Sequence, residues 1–524
     1  MTSPEMYERL KVVSLAPPIR IPADATIIDA SNLNNGSYMK NCFPEHWEEA
    51  GRTYTVKRPG LAEQRSLVNP DSGPVPPNNV VQGALSLEKL SALFYIIGDC
   101  VAWLTSSETL VTAALPSLPQ GLMPFRSIEG RVTVSGQVKD SVLIQSRVMY
   151  NIWTPIPFTS LVTNPVNTSA ISGDLVPSLS ELNTAYYVMT TSRRIYNSVD
   201  GLSWGSLDYI TLDDSLGVPI CLIRHLTYLV AFCSKGTVVF YDAGISPGSP
   251  LLPVQNAVFL EGMAWDGQWS ATSSIDDELF WIGSGQAASV SVLMMTGLTI
   301  TKISTPDVDR ILEKWMKFTA TYNGQTTTGY FRTYYPSGVT IKSGGHSYYI
   351  LTFPSPSGSN GITLVYDIGL RHWTFWTQVD PNSQQETAFK PIWAVMHPSL
   401  HIPVMFDTTS GKMQKLSQEV FTDLGLPIKM KVQTELYNWG NQRRKFVPAI
   451  YLESDTKSSF DVGVDWTDND YEYYCLPQVF KMVNQKRQLL RCGSMVRRGW
   501  RLTYDANTPM RWNGLLVEIQ AGSL

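Results

Sequence analysis

A chain of 524 residues can bury a large core, and its net charge of −4 gives no electrostatic case for binding nucleic acid along its whole surface. Charged residues are 16% and aromatic residues 11%, with 15 Trp and 24 Tyr, a balance that fits a sheet-rich protein that also buries surface against partners. The six cysteines contain no C-x-x-C pair and are too sparse for a disulfide framework; no signal peptide and no apolar run of membrane-helix length is expected.

Residues 1 to 80 are rich in Pro, Asn and Gly and read as an extended N-terminal arm around one strand, Thr26 to Ile28. "VNPDSGPVPPNN" (68–79) reads as a loop. From residue 81 a theme of strand, tight turn and strand recurs: 92–107 around Gly-Asp, 141–155, 185–207, 227–244 on Ser-Lys-Gly, 347–378, and 403–417 on Thr-Ser-Gly. Spacings of roughly 40 to 60 residues predict β-propeller blades over 81–430, six to eight of them, with an insertion at about 110–180. A pair of β-sandwiches is the competing architecture.

Gly283, Gly285 and Ala288 match the G-x-G-x-x-G/A spacing of a dinucleotide loop. Such a loop must open a helix, whose N-terminus holds the phosphate. Here Ser289-Val290-Ser291-Val292 alternates instead, so the glycines predict a hairpin. "SVDGLSW" (198–204) approximates the Asp-box turn of sialidase-like propellers, one residue short, and reads equally as an ordinary Asp-Gly turn. The one helix predicted is 304–318, capped by Ser304 or Thr305, with Pro306 in its first turn and Val308, Ile311, Leu312 and Trp315 on one face. From residue 431 long alternating strands predict a separate C-terminal β-rich, sandwich-like domain (431–524), net +3 against −7 for the rest.

No constellation of residues points to catalysis, and neither cofactor nor metal is expected. Asp213-Asp214 and Asp276-Asp277-Glu278 read as solvated turns rather than a glycosidase pair. His397 and His401 are four apart, but Pro398 opposes the helix a zinc motif needs. "GLSWG" (201–205) and "GISPG" (244–248) fit G-x-S-x-G but lack the helix that must follow a nucleophile elbow. The densest basic region is Lys486, Arg487, Arg491, Arg497, Arg498 and Arg501, with Arg443, Arg444 and Lys445 as a second. Either these solvate a strand face, or Arg487, Arg491, Arg497 and Arg498 contact DNA phosphates or a neighbouring subunit.

"WIGSGQAAS" followed by "ISTPDVDRIL" (303–312), "YTVKRPGL" (54–61) after "DASNLNNG", and the ending "VRRGWRLTYDANTPMRWNGLLVEIQ" together resemble the tail hub or nozzle proteins of short-tailed bacteriophages, also called packaged-DNA stabilisation proteins. The resemblance implies a β-propeller with added β domains. It also implies a homo-oligomeric ring, commonly a hexamer, below the portal and tail adaptor. Such a ring continues the channel for double-stranded DNA without sequence specificity. It works with a tail needle or plug and carries tail fibres or spikes. The resemblance places the protein in the virion tail, after synthesis in the bacterial host cytoplasm. A sialidase-like propeller glycosidase, suggested by the Asp-box-like turn, and a glycan-binding adhesin, suggested by the aromatic content, are the alternatives.

Overall fold

The structure is a computed structural model that describes residues 10–21, 36–47, 52–66, 81–97, 100–105, 110–114, 125–146, 148–153, 161–264, 267–274, 276–284, 289–316, 319–322, 325–328, 335–353, 361–407, 412–440, 442–454, 461–481 and 488–521. The expected strand Thr26 to Ile28 lies outside them. The protein is mainly β, a β-propeller with a second β-rich unit, and it carries one α-helix among the described residues. Two compact units divide the chain: 63–342 with 390–415, and 1–62 with 343–389 and 416–524.

The first unit is the propeller, which among the described residues shows six antiparallel meanders whose strands follow one another in chain order. Blade 1 is Val81–Leu87, Ala92–Ile97, Cys100–Leu104 and Leu110–Ala114. Blade 2 is Arg126–Val134, Gln137–Gln145, Met149–Trp153 and Val162–Pro165. Blade 3 is Ser180–Leu182, Ala185–Met189, Arg194–Ser198 and Tyr209–Thr211. Blade 4 is Pro219–His225, Tyr228–Cys233, Thr237–Asp242 and Leu251–Phe259. Blade 5 holds Gly262–Met263, Glu278–Ser284, Val290–Thr296 and Thr299–Lys302, with Thr272–Ser273 also on Glu278–Ser284. Blade 6 is Pro391–Met396, Pro403–Asp407 and the start of Lys412–Ser417.

Period-two geometry explains why "ALFYII" and "YLVAFC" read as unbroken apolar runs. Each strand is buried on both faces. Leu93 and Tyr95 pack on Val404 and Phe406 of blade 6, whereas Phe94 and Ile96 pack on Val142 and Ile144 of blade 2. Leu143 turns to Tyr186, Val188 and Trp204 of blade 3, and Tyr187 and Met189 turn to Leu222 and Leu229 of blade 4. Val230 and Phe232 then meet Leu279 and Trp281 of blade 5. Trp269 of blade 5 meets Trp393 of blade 6 edge-on, with centroids 6.1 Å apart. The ring is thus closed by a blade that the chain adds only after leaving the unit at 342 and returning at 390. Each fully buried Leu, Ile, Val or Phe stabilises the stack by roughly 1.5–3 kcal/mol before entropy is counted.

The region 110–180 departs from the expected insertion, since residues 126–165 form blade 2. Ser141, Asn151 and Thr163 there are strand positions, and Asn151 donates to Ser141 across the sheet, at 2.9 Å. The Gly283 stretch is a hairpin with Ser284 opposite Val290 and Gly283 opposite Ser291; Gly285 and Ala288 lie outside the described residues. Helix α1, Pro306–Met316, buries Val308, Ile311 and Leu312 on the Val290–Thr296 strand, with Trp315 half-buried. The Ser304 hydroxyl accepts from the Val292 N–H (3.0 Å) and donates to Asp309 (2.5 Å), pinning the helix start to blade 5.

The second unit is a sandwich, but its membership differs from the expected 431–524. Tyr38–Lys40 pairs antiparallel with Met430–Gln433 and meets the parallel strand His372–Phe375 through Lys40 and Phe375. Leu10–Val13 and Arg52–Lys57 both join Arg511–Glu518. Its core sets Met39, Val432, Leu502 and Val464 of the larger sheet against Ile450, Leu452, Leu515 and Val517 of the smaller. The C-terminal strands therefore complete their sheets with the first 62 residues and with 343–389. No helix among the described residues is long and apolar enough to cross a membrane.

Candidate functional site

Strand pairing brings the two basic segments together. Lys445 lies opposite Met495 and Phe446 opposite Ser494. Yet the arginines differ sharply in what they can offer a ligand. Arg498 is 1% exposed. Its Nε and Nη2 donate to the two oxygens of Asp468 at 2.7 and 2.8 Å, Nη1 donates to the Cys492 carbonyl at 2.6 Å, and the guanidinium lies 4.9 Å from the Trp466 ring. All of this holds two loops to a sheet end and leaves nothing for a phosphate. Arg497 is exposed and ion-paired to Asp470. Arg491 is exposed, its backbone N–H tied to the Pro448 carbonyl at 2.7 Å. Arg487 lies outside the described residues. Arg501 grips Asp465 with a two-pronged pair at 2.8 and 2.5 Å, and Lys445 turns inward to the carbonyls of Arg443 and Val496. Of the four residues expected to contact DNA or a neighbour, the structure leaves Arg491 and Arg497 at the surface.

The other motifs resolve into local structure. His397 Nδ1 accepts the N–H groups of Ser399 and Leu400 at 3.3 Å, so the ring caps a turn. Asp213 caps a short 3-10 turn through the Ser215 N–H (2.8 Å), and Asp214 pairs with Arg193 at 2.9 Å. Asp276 pairs with Lys342 at 3.2 Å. "GISPG" links two strands of blade 4, with Gly244 and Gly248 at φ 66° and 101°. In "SVDGLSW" the Asp200 carboxylate accepts from the N–H groups of Leu202 and Ser203 (2.8 and 2.7 Å) and from the Ser203 hydroxyl (2.9 Å). Trp204 is buried between blades 2 and 3. Asp200 thus caps this turn, as it would in an Asp-box or in an ordinary Asp-Gly turn.

"YTVKRPGL" delivers Arg58 into a fully buried network. Its guanidinium donates to Asp423 (2.9 and 2.5 Å), to the side-chain oxygen of Asn41 (3.0 Å) and to the Thr377 carbonyl (2.8 Å), between the Trp376 and Phe389 rings. Gly60 follows because a Cβ there would stand 2.3 Å from the Thr422 carbonyl oxygen.

Two further clusters carry no sequence motif. In the propeller, Arg126 extends from the first strand of blade 2 to the Gln268 carbonyl (2.8 Å), Cys221 Sγ (3.3 Å) and the Trp269 ring (5.0 Å), so side chains of blades 2, 4 and 5 meet. Trp393 of blade 6 joins them through Trp269. The second cluster is in the sandwich, on the face of the larger sheet opposite its core. Lys40 and Lys431 are direct cross-strand partners, and Arg501 lies opposite Gln433. Lys40 Nζ is 2.6 Å from Glu386, and Tyr474 stacks on Arg501 at 3.7 Å. Burial, then Lys40 and Arg501, push the Lys431 ammonium down to about 7. These residues come from five separate segments, so no local pattern could have announced them.

The chain matches no family model and no curated protein. Solved structures similar to it include YCF48 bound to a D1 peptide (10% identity, TM-score 0.37, covering 69% of this chain and 100% of that one). YCF48 from Cyanidioschyzon merolae gives 12% identity and a TM-score of 0.37 over 68% and 99%. The Neurospora crassa Pan2 WD40 domain gives 9% and 0.38 over 70% and 98%.

Proposed function

We propose that this chain is a structural subunit of a bacteriophage tail nozzle or hub. It forms a homo-oligomeric ring, six copies in the resemblance, that continues the DNA channel below portal and adaptor, retains packaged DNA and serves its ejection. It has no enzymatic activity, works with a needle or plug, and carries fibres or spikes outside. The observation that carries this reading is where the family-like stretches fall. "YTVKRPGL" supplies the buried Arg58 network, and "ISTPDVDRIL" supplies the helix pinned to blade 5. Residues that carry the resemblance are thus those that stiffen each unit, as a wall under the pressure of packed DNA requires.

The crossing of Arg126, Trp269 and Trp393 bears on how such a wall conducts. Side chains of blades 2, 5 and 6 meet there, which argues against a duplex passing through a single propeller. The channel is then the hole enclosed by a ring of copies, and any DNA-facing charge is repeated around it.

Negative-stain images of the purified protein, or of its particle, test this. Rings with a central hole are expected. Monomers at all concentrations that turn over sialosides would overturn it in favour of a glycosidase, the reading that the Asp200 turn favours.

A further inference from the structure

Two thiols meet at one edge of the sandwich. Gln478–Phe480 is the last strand of the larger sheet and Gln488–Leu490 the last of the smaller, and these consecutive strands touch each other. Followed away from the segment that joins them, they lead to Cys475, three residues before Gln478, and to Cys492, two residues after Leu490. Cys492 lies in the core between the sheets, and Cys475 packs against that core. Arg498 stands between their surroundings. It donates to the Cys492 carbonyl at 2.6 Å and lies 4.9 Å from the ring of Trp466, whose backbone N–H donates to Cys475 Sγ at 3.4 Å. Burial pushes both thiols up, Arg498 is among the groups that pull each back, and the charge of Cys475 bears directly on Cys492. Cys475 is half-buried and Cys492 is 0% exposed. An accessible thiol in front of a buried one is the arrangement in which an oxidant captured by the first is displaced by the second.

We propose that Cys475 and Cys492 are a dithiol that oxidises to a disulfide, stapling the edge of the larger sheet to the edge of the smaller. The oxidant is a small disulfide such as oxidised glutathione. The Cys475 thiolate attacks one of its sulfur atoms and expels one glutathione thiolate, which takes up the proton that Cys475 lost. The Cys492 thiolate then attacks Cys475 Sγ in the mixed disulfide and expels the second glutathione, which takes up the proton of Cys492. Two protein thiols are thus oxidised and one glutathione disulfide is reduced to two thiols. A chain made in a reducing cytoplasm and released into oxidising surroundings closes such a bond after it has folded. That timing rests on the tail reading; the bond does not.

Oxidation of the full chain tests it. The protein, purified under dithiothreitol, is incubated with oxidised glutathione at pH 8, alkylated, digested and mapped by mass spectrometry. A peptide pair joined at Cys475 and Cys492 is expected, with two of the six thiols lost, whereas C475S should keep its full count. The thermal unfolding midpoint of the wild type should rise by about 5 °C on oxidation, because the bond closes a loop in the unfolded chain, and dithiothreitol should reverse the rise. C492S replaces C475S should that variant not fold, and the wild-type map decides in either case. Recovery of both cysteines as free or glutathione-capped peptides, their linkage to other cysteines, or a midpoint that oxidation leaves unchanged or lowers would overturn the proposal. Ring images report on the tail reading alone, so either can fail without the other.

Discussion

The Nδ1 atom of His346 lies 2.7 Å from a carboxylate oxygen of Asp367, while Nε2 faces Glu45 at 3.9 Å. Phe43 and Tyr348 enclose the ring, the latter stacked at 9°. Burial alone would lower the imidazole's proton affinity, but Asp367 and Glu45 outweigh it and hold the group up at about 9. The ring is therefore charged at neutral pH, and it clasps Cys42–Trp47 to His346–Phe353.

A histidine whose folded value lies above its unfolded one stabilises fully below about 6.5 and loses that contribution as the pH rises through about 9. Urea unfolding of wild type and His346→Gln should differ by roughly 2 kcal/mol at pH 6 and by much less at pH 10. A difference that does not change with pH would contradict the charged clasp.

Arg58 and Asp423 are both almost fully buried, at 0% and 1%. Removing the guanidinium strands a carboxylate among apolar rings, so Arg58→Met should cost about 3–5 kcal/mol. The double variant Arg58→Met, Asp423→Leu should recover part of this loss, because it leaves no unpaired charge. Chemical denaturation of the three proteins measures both effects. Gly60→Ala should also destabilise, since its new methyl meets backbone carbonyls rather than yielding side chains.

What could be read from the sequence was what neighbouring residues decide. Thr237–Asp242 and Tyr228–Cys233 pair around Ser234-Lys235-Gly236 because the turn chemistry sits between two β-branched and aromatic runs. Helix α1 was legible for the same reason, its cap and apolar face being within one stretch. Blade 2 was legible only at 141–155; its outer strands were not, because Ser127, Thr133 and Thr163 resemble loop residues until their strands pair. Nor was the division into units. Val56 meets Arg511 and Lys40 meets Lys431, pairings across hundreds of residues that no local signal specifies. The roles of the arginines were hidden likewise. Arg497 and Arg498 are adjacent, and only the position of Asp468 beneath the strand separates a surface charge from a buried brace.

That difference between arginines is measurable. Arg498→Ala should destabilise the fold by about 3 kcal/mol, since Asp468 and two carbonyls lose their donor. Arg491→Ala should change stability by less than about 0.5 kcal/mol. Any effect of Arg491→Ala on DNA retention or its salt dependence would then report on contact rather than on folding. Equal stability of the two variants would show that Arg498 does not brace the sheet end.

The Asp200 turn gives the last test, because its carboxylate is only partly covered yet heavily bonded. Burial by itself would raise the carboxyl, but the N–H groups of Ser203 and Leu202 and the hydroxyls of Ser203 and Ser198 hold it below its ordinary value. Stability from such a group is present above pH 4 or so and is lost as the pH falls through the folded value. Asp200→Ala should cost about 1–2 kcal/mol at pH 7, the scale of a lost cap, and the gap to wild type should narrow at pH 3. Gly201→Ala should cost at least as much. Gly201 has φ +69°, and its added Cβ would stand 2.4 Å from Leu143 Cδ1 in the blade 2 to blade 3 interface. Scanning calorimetry at the two pH values separates these contributions. A gap for Asp200→Ala that stays constant from pH 7 to 3 would mean the turn holds through Trp204 packing and not through its carboxylate.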